Sequence, residues 1–288
     1  MLALSRPIGA RLLPRAARLA RLATDAAPSP SPSSSDPATL RPPSVNPRWL
    51  DAIEADLVAL RKETRISTKD QARVGKKIKK LRDGRLALLS GAHGFLPWAP
   101  DQGVKDLAVA IAWVCHVNNL HYNRWAETGR VNWLRAFADS SKPEFEAAWR
   151  ELLTPKSLGV ILASITTEYK VPVSYPDTVS VIHRLASEVD DSSTRFYLHG
   201  LVFSSSLQRV AAQTWEEIVL YDYAAAAKAP LRPFMVDALQ RTWDLQEQRR
   251  LAVEAEEADF RALIAEMTGK AKPPVRGKGG RREKEGHE

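Results

Sequence analysis

Residues His116–Phe137 read His-Val-Asn-Asn-Leu-His-Tyr-Asn-Arg-Trp-Ala-Glu-Thr-Gly-Arg-Val-Asn-Trp-Leu-Arg-Ala-Phe. Asn118 and Asn119 stand near the start, and asparagine caps helices because its side-chain carbonyl accepts from free backbone N–H groups. Tyr122, Ala126, Gly129, Trp133 and Phe137 follow at intervals of four, three, four and four, which puts them on one stripe of a helix. Glycine lowers helix propensity, so Gly129 within that stripe predicts a neighbour at close approach. On spacing alone the segment is an amphipathic core helix with an asparagine cap.

Downstream the period changes to two. Ile165, Thr167, Tyr169, Val171 and Val173 face one way, while Thr166, Glu168 and Lys170 face the other. A second strand is predicted over Thr178–Val189, followed by the polar turn Asp190–Ser193. A third covers Arg195–Ser205, where Phe196, Leu198, Gly200 and Val202 alternate with Tyr197, His199, Leu201 and Phe203. Val210–Tyr223 makes a fourth, interrupted by Glu216-Glu217. One long helix followed by successive antiparallel strands is an α+β arrangement, and pattern alone leaves several such folds open.

The ends differ in composition. Residues 1–25 carry Arg6, Arg11, Arg15, Arg18 and Arg21 with no acid before Asp25, the composition of a mitochondrial transit peptide, so a matrix location is expected. Residues 26–47 are rich in Pro, Ser, Ala and Thr and read as a disordered linker. Residues 48–93 form a basic helical extension: Leu50, Ile53, Leu57 and Leu60 mark one helix, and Ser67 caps a second that ends in the basic run Lys76–Arg82. That run reads either as a solvated face or as a contact for RNA, an anionic surface or phosphate. Ser140–Pro143 break the central helix and Glu144–Leu153 form a short one. Beyond Pro230–Pro233 a long helix spans Phe234–Met267, and its second half (244–268) is polar enough to predict projection into solvent or contact with a partner. Residues 269–288 read as a disordered basic tail.

The net charge of +8 is concentrated in these ends and in one helix. The single cysteine, Cys115, excludes an internal disulfide framework and a Cys-based zinc cluster. No apolar run reaches the length of a membrane-spanning helix. Neither a phosphate-binding glycine loop nor a metal-ligand cluster is visible, and no metal or redox cofactor is expected.

His-Val-Asn-Asn followed by Tyr122, Glu127 and Arg130 resembles the start of the central helix in hot-dog-fold acyl-CoA thioesterases. Tyr169–Val173 and the Tyr175-Pro176-Asp177-Thr178 turn resemble that family's next strand and turn, most of all in the thioesterase-like proteins of fungi. The resemblance covers about residues 94–243. It implies an antiparallel sheet wrapped around one central helix, flanked here by N- and C-terminal helical extensions. It also implies a homodimer and an acyl-CoA substrate, with coenzyme A present only as part of that substrate.

Thioester hydrolysis needs a polarised carbonyl and an activated water or a carboxylate nucleophile. By resemblance, the backbone N–H groups around Asn119–Tyr122 polarise the carbonyl, Asn118 and Asn119 order the turn, and His116 hydrogen-bonds across the site. Structural roles as a core histidine and a helix cap remain open for His116 and the asparagines. Glu127 is either a base or an ion-pair partner of Arg124 or Arg130. Tyr175, Ser204 and Ser205 are candidates to line a coenzyme A channel.

The family carries an Asp a few residues before His-Val-Asn-Asn, where this chain has the apolar run Val109–Cys115. Asp101 and Asp106 are the nearest acids upstream. Three readings stay open: one of them reaches the site across a looped-out segment; the protein keeps the fold without the acid; or Gly103–Cys115 is a gene-model artefact. Cys115 and His116 are adjacent, and neighbours on a strand point to opposite faces, which disfavours a Cys–His nucleophile. The alternative function is an inactive hot-dog scaffold that docks on a mitochondrial assembly such as the ribosome through its basic helix and tail.

Overall fold

A computed structural model describes residues 48–96, 103–108 and 116–269, the short middle segment by its backbone. The readings that fall elsewhere (transit peptide, linker, the tail beyond Gly269, Asp101, Cys115 and the Asp106 side chain) lie outside the described residues. The elements are α1 (Trp49–Lys62), α2 (Thr68–Asp83), α3 (Arg85–Gly91), β1 (Gly103–Ala108), α4 (Asn119–Ser140), α5 (Pro143–Glu151), β2 (Leu158–Tyr169), β3 (Thr178–Leu185), β4 (Arg195–Ser204), β5 (Arg209–Asp222), β6 (Ala227–Lys228) and α6 (Pro233–Thr268). The strands form one antiparallel sheet in the order β1-β3-β4-β5-β2, with the short β6 against β5.

Local chemistry sets the helix ends. Asn118 keeps an extended backbone, and its Oδ1 accepts from Leu120 N–H at 2.9 Å, so it is the cap and Asn119 the first helical residue. Ser67 caps α2 as its position predicts, accepting from Asp70 N–H at 3.1 Å. Pro143 and Pro233 occupy the first turns of α5 and α6, where a missing N–H costs nothing.

Helix α4 lies across one face of the sheet. Trp133, Leu134 and Phe137 form a core there with Leu185, Phe196, Leu198, Ile218 and Leu220 from the strands, Trp149 from α5 and Met235 and Leu239 from α6. Gly129 is the point of closest approach. A Cβ there would stand 2.8 Å from both Val181 Cγ1 and His183 Cε1, so only glycine lets the helix come this near β3.

The other face of the sheet is also covered. Ile182 and Leu201 pack with Phe95, and His199 stacks on Trp215 with ring centroids 4.0 Å apart. Phe203 joins a second core built from α1, α2, α3 and the far half of α6. Both sets of alternating residues in β4 are therefore buried, with only Tyr197 and Arg195 less so. A strand covered on both sides reads as a continuous apolar run.

Three expectations need correction. The second half of α6 does not project free: Val253, Phe260, Leu263 and Ile264 are buried against Trp49, Leu50, Leu57, Val74 and Leu81. Its polar residues serve the opposite side of that contact, where Arg73 meets Glu266, Lys77 meets Asp259 and Lys80 meets Glu256. Strand β2 begins at Leu158 rather than Ile165, because Leu158–Ile165 pair with Glu216–Asp222 of β5. The stretch read as inserted before the central helix supplies an edge strand: Gly103–Ala108 pairs with Thr178–Ile182 of β3.

Candidate active site

The N-terminus of α4 opens onto a cleft of about 510 Å³ lined by His116, Val117, Asn118, Asn119, Tyr122 and the segment Tyr169–Pro172. The two walls are joined by hydrogen bonds. Val117 N–H donates to Val173 O at 2.8 Å, and Val173 N–H donates to the Tyr122 hydroxyl at 3.2 Å. Thr167 Oγ1 donates to Asn123 Oδ1 at 2.7 Å, holding the end of β2 against the second turn of α4. The Tyr122 and Tyr169 rings meet edge to face at 5.2 Å.

Most donors of the first turn are already used. Leu120 N–H is held by the Asn118 side chain and His121 N–H by the Asn118 carbonyl. Asn119 N–H has no partner among the described residues, and Asn119 lines the cleft. One backbone donor at the positive end of a 22-residue helix is a site for developing negative charge.

The sequence candidates separate into two groups. His116, Asn118, Asn119 and Tyr122 converge on the cleft. His116 is exposed, so it is not a core histidine. Tyr122 is only 3 % exposed, and burial raises the pKa of its phenol. Its hydroxyl ties down Val173, a positioning role. Glu127 is exposed farther along α4, and Arg130 turns away from it into the core. Tyr175 is exposed two residues beyond Val173. Ser204 is fully buried; it donates to Asp177 Oδ2 at 2.5 Å and accepts from Leu207 N–H at 3.1 Å, so its hydroxyl holds the β4–β5 turn. Ser205 N–H donates to Thr178 O in the same turn. Burial raises the Asp177 pKa, but the hydrogen bonds from Ser204, Ser206 and Thr178 outweigh it and hold the carboxyl below its usual value.

Tyr169, Lys170 and Pro172 line the cleft but were not singled out by sequence reasoning as site residues. The signal was the Tyr169–Val173 motif itself, which marks the opposite wall. No carboxylate is among the described lining residues. The charged centre of the molecule lies deeper: Glu216, fully buried, receives Arg130 Nη1 at 2.5 Å, His183 Nε2 at 3.1 Å and Thr214 Oγ1 at 2.8 Å. Its sequence neighbour Glu217 points the other way and pairs with Arg195 at 2.6 Å.

An antiparallel sheet in the order β1-β3-β4-β5-β2 with a long helix across one face defines a hot-dog fold of the α+β class. Residues 109–239 match the thioesterase-like superfamily. Among solved structures, the chain is similar to a thioesterase from Thermus thermophilus complexed with coenzyme A and Zn, at 21% identity over 51% of this chain and 97% of that one, with a TM-score of 0.37. It is also similar to the probable thioesterase YbaW of Escherichia coli, at 16% identity over 50% and 98%, with a TM-score of 0.38. A 1,4-dihydroxy-2-naphthoyl-CoA thioesterase from Synechocystis is similar at 12% identity over 48% and 94%, with a TM-score of 0.38. A search of curated proteins gave no match.

Proposed function

We propose that the chain hydrolyses an acyl-CoA thioester in the cleft at the start of α4, releasing a carboxylic acid and free coenzyme A. The observation that carries this is the capped helix end with Asn119 N–H on an open cleft. A carbonyl oxygen set against that N–H gains charge in the tetrahedral intermediate, where the donor and the helix dipole stabilise it. A single oxyanion donor accounts for roughly 10²–10³ in rate. Water attacks the carbonyl carbon, a base takes its proton, and the C–S bond breaks to give a thiolate that is then protonated. His116 on the rim is the proton acceptor among the described lining residues, and Asp101 and Asp106 are the acids nearest in sequence. Coenzyme A enters as part of the substrate, and the mechanism calls for no metal or redox group.

We place the protein in the mitochondrial matrix on its arginine-rich, acid-free start, and as a homodimer through the open edge of β2, a 12-residue strand on which Leu162 is exposed. A second reading has one observation in its favour. The described lining holds no carboxylate, which suits an inactive hot-dog scaffold that docks on a mitochondrial assembly.

Thiol release from short-, medium-, long-chain and aryl acyl-CoA esters by the purified chain tests the reading. Turnover that falls at least tenfold in Asn118→Ala, and whose pH profile changes in one of His116→Gln, Asp101→Asn or Asp106→Asn, supports it. No release above background from any of these esters would overturn it, and salt-sensitive co-sedimentation with ribosomes in the absence of hydrolysis would support the scaffold.

A further inference from the structure

Helices α1 and α2 belong to the layer on the far side of the sheet from α4, since their core is shared with Phe203 and α6. Much of the basic run in α2 is neutralised inside that layer. Arg73, Lys77 and Lys80 pair with acids of α6, Lys79 pairs with Asp83, and Arg82 pairs with Glu54. Five cations remain. Arg61, Lys62, Arg65, Lys69 and Lys76 are exposed and make no hydrogen bond or ion pair with any described residue. They run from the last turn of α1 through the connection onto α2; of the intervening acids, Asp70 is held by Arg73 and Glu63 is exposed.

A groove of about 290 Å³ between the two helices is lined by Val58, Arg61, Lys62, Ile78 and Arg82, so three cations rim an apolar floor. The Arg61 guanidinium lies against α2 beside Gly75.

We infer that this hairpin docks on the phosphate backbone of duplex nucleic acid. Binding of that kind is driven by charge and counterion release and needs no apolar anchor. The surface fits that description, because none of the large exposed hydrophobic side chains lies in α1, α2 or α3. An amphipathic membrane anchor inserts such side chains and a protein interface uses them as hot spots, so their absence favours a partner bound through charge alone. Base stacking on single strands needs exposed aromatics, also absent from these helices among the described residues. The cleft is on the other face of the sheet, so the phosphates of coenzyme A do not explain the charge. The inference stands independently of the thioesterase reading.

The test is binding of the full chain to a labelled 20-base-pair RNA duplex between 50 and 200 mM salt, compared with Arg61→Gln/Lys62→Gln/Lys76→Gln. The three side chains hold nothing in place, so the melting temperature should not change. Affinity should fall at least tenfold at low salt, and the salt slope should shrink by about 3, at roughly 0.9 per lost phosphate contact. Wild-type affinity in the triple variant would overturn the proposal, including the case where only removal of residues 270–288 abolishes binding. Stronger association with phosphatidylserine vesicles than with the duplex at the same salt would also overturn it.

Discussion

Arg130 of the central helix and Glu216 of β5 form an ion pair, 2.5 Å from Nη1 to Oε2, in the middle of the core. Glu216 is screened from water entirely and saturated by His183 and Thr214 on its other oxygen. Gly200 makes the room: a Cβ there would lie 2.2 Å from Thr214 Oγ1 and 3.0 Å from His183 Nε2. Removing one partner leaves the other charge buried without compensation, which costs about 3–5 kcal/mol. Arg130→Met and Glu216→Gln should each lose about that much in urea unfolding, and the double variant should lose less than their sum. A single-variant loss under about 1 kcal/mol would show that the pair is not isolated from water.

Stability should fall with acid in two stages. Burial holds His93 neutral, with its pKa lowered to about 4, and puts that of His199 well below the ordinary value. The unfolded chain binds protons at these histidines first, so stability is lost as pH falls below about 6.5. Burial alone would raise the Glu216 carboxyl, but His183 and Arg130 bring it down to about 2 from 4.5. That contribution is present above pH 4.5 and is lost as pH falls toward 2, roughly 3 kcal/mol in all. Melting temperatures measured from pH 8 to 3 should decline first near 6.5, and His93→Leu should blunt that early decline. A flat profile between pH 7 and 5 would contradict it.

Gly129→Ala sets two effects against each other. Alanine favours a helix by about 1 kcal/mol over glycine. Its methyl would stand 2.8 Å from atoms of Val181 and His183, side chains fixed on a buried strand, and such overpacking costs about 1–3 kcal/mol. The clash should win, lowering the melting temperature by several degrees. Stabilisation would mean that α4 can move away from β3.

Gln246 substitutes for a strand. Its Oε1 accepts from Leu185 N–H at 2.8 Å and its Nε2 donates to Leu185 O at 3.2 Å, beyond the point where β1 stops pairing with β3. Gln246→Leu leaves Leu185 N–H buried and unsatisfied, at about 1–3 kcal/mol, while Leu185 O keeps the Arg184 guanidinium at 3.1 Å. Amide exchange at Leu185 should accelerate markedly, while β5 amides change only with global stability. Unchanged protection at Leu185 would rule the clamp out.

The sequence by itself determined the long central helix, its Asn118 cap, the close contact at Gly129 and two of the strands nearly to their ends, whereas the strand from Thr178 stops at Leu185, four residues short of the expected Val189. These depend on neighbours a few residues apart: cap chemistry, period and turn residues act within one or two turns. The motif on the opposite wall of the cleft was visible too, as Tyr169–Val173, but not its meeting with Asn119 across 50 residues of chain.

Only the tertiary structure decided what lies on the outer face of the sheet. Phe260 and its neighbours in α6 are sparse among glutamates, so the helix reads as polar until α1 and α2 are set against it. Glu216 and Glu217 are identical in composition and adjacent, yet one is buried beneath Arg130 and the other pairs with Arg195, because successive residues of a strand face opposite sides. Partnership between residues distant in sequence is a property of the packed layers, and a local pattern carries no record of it.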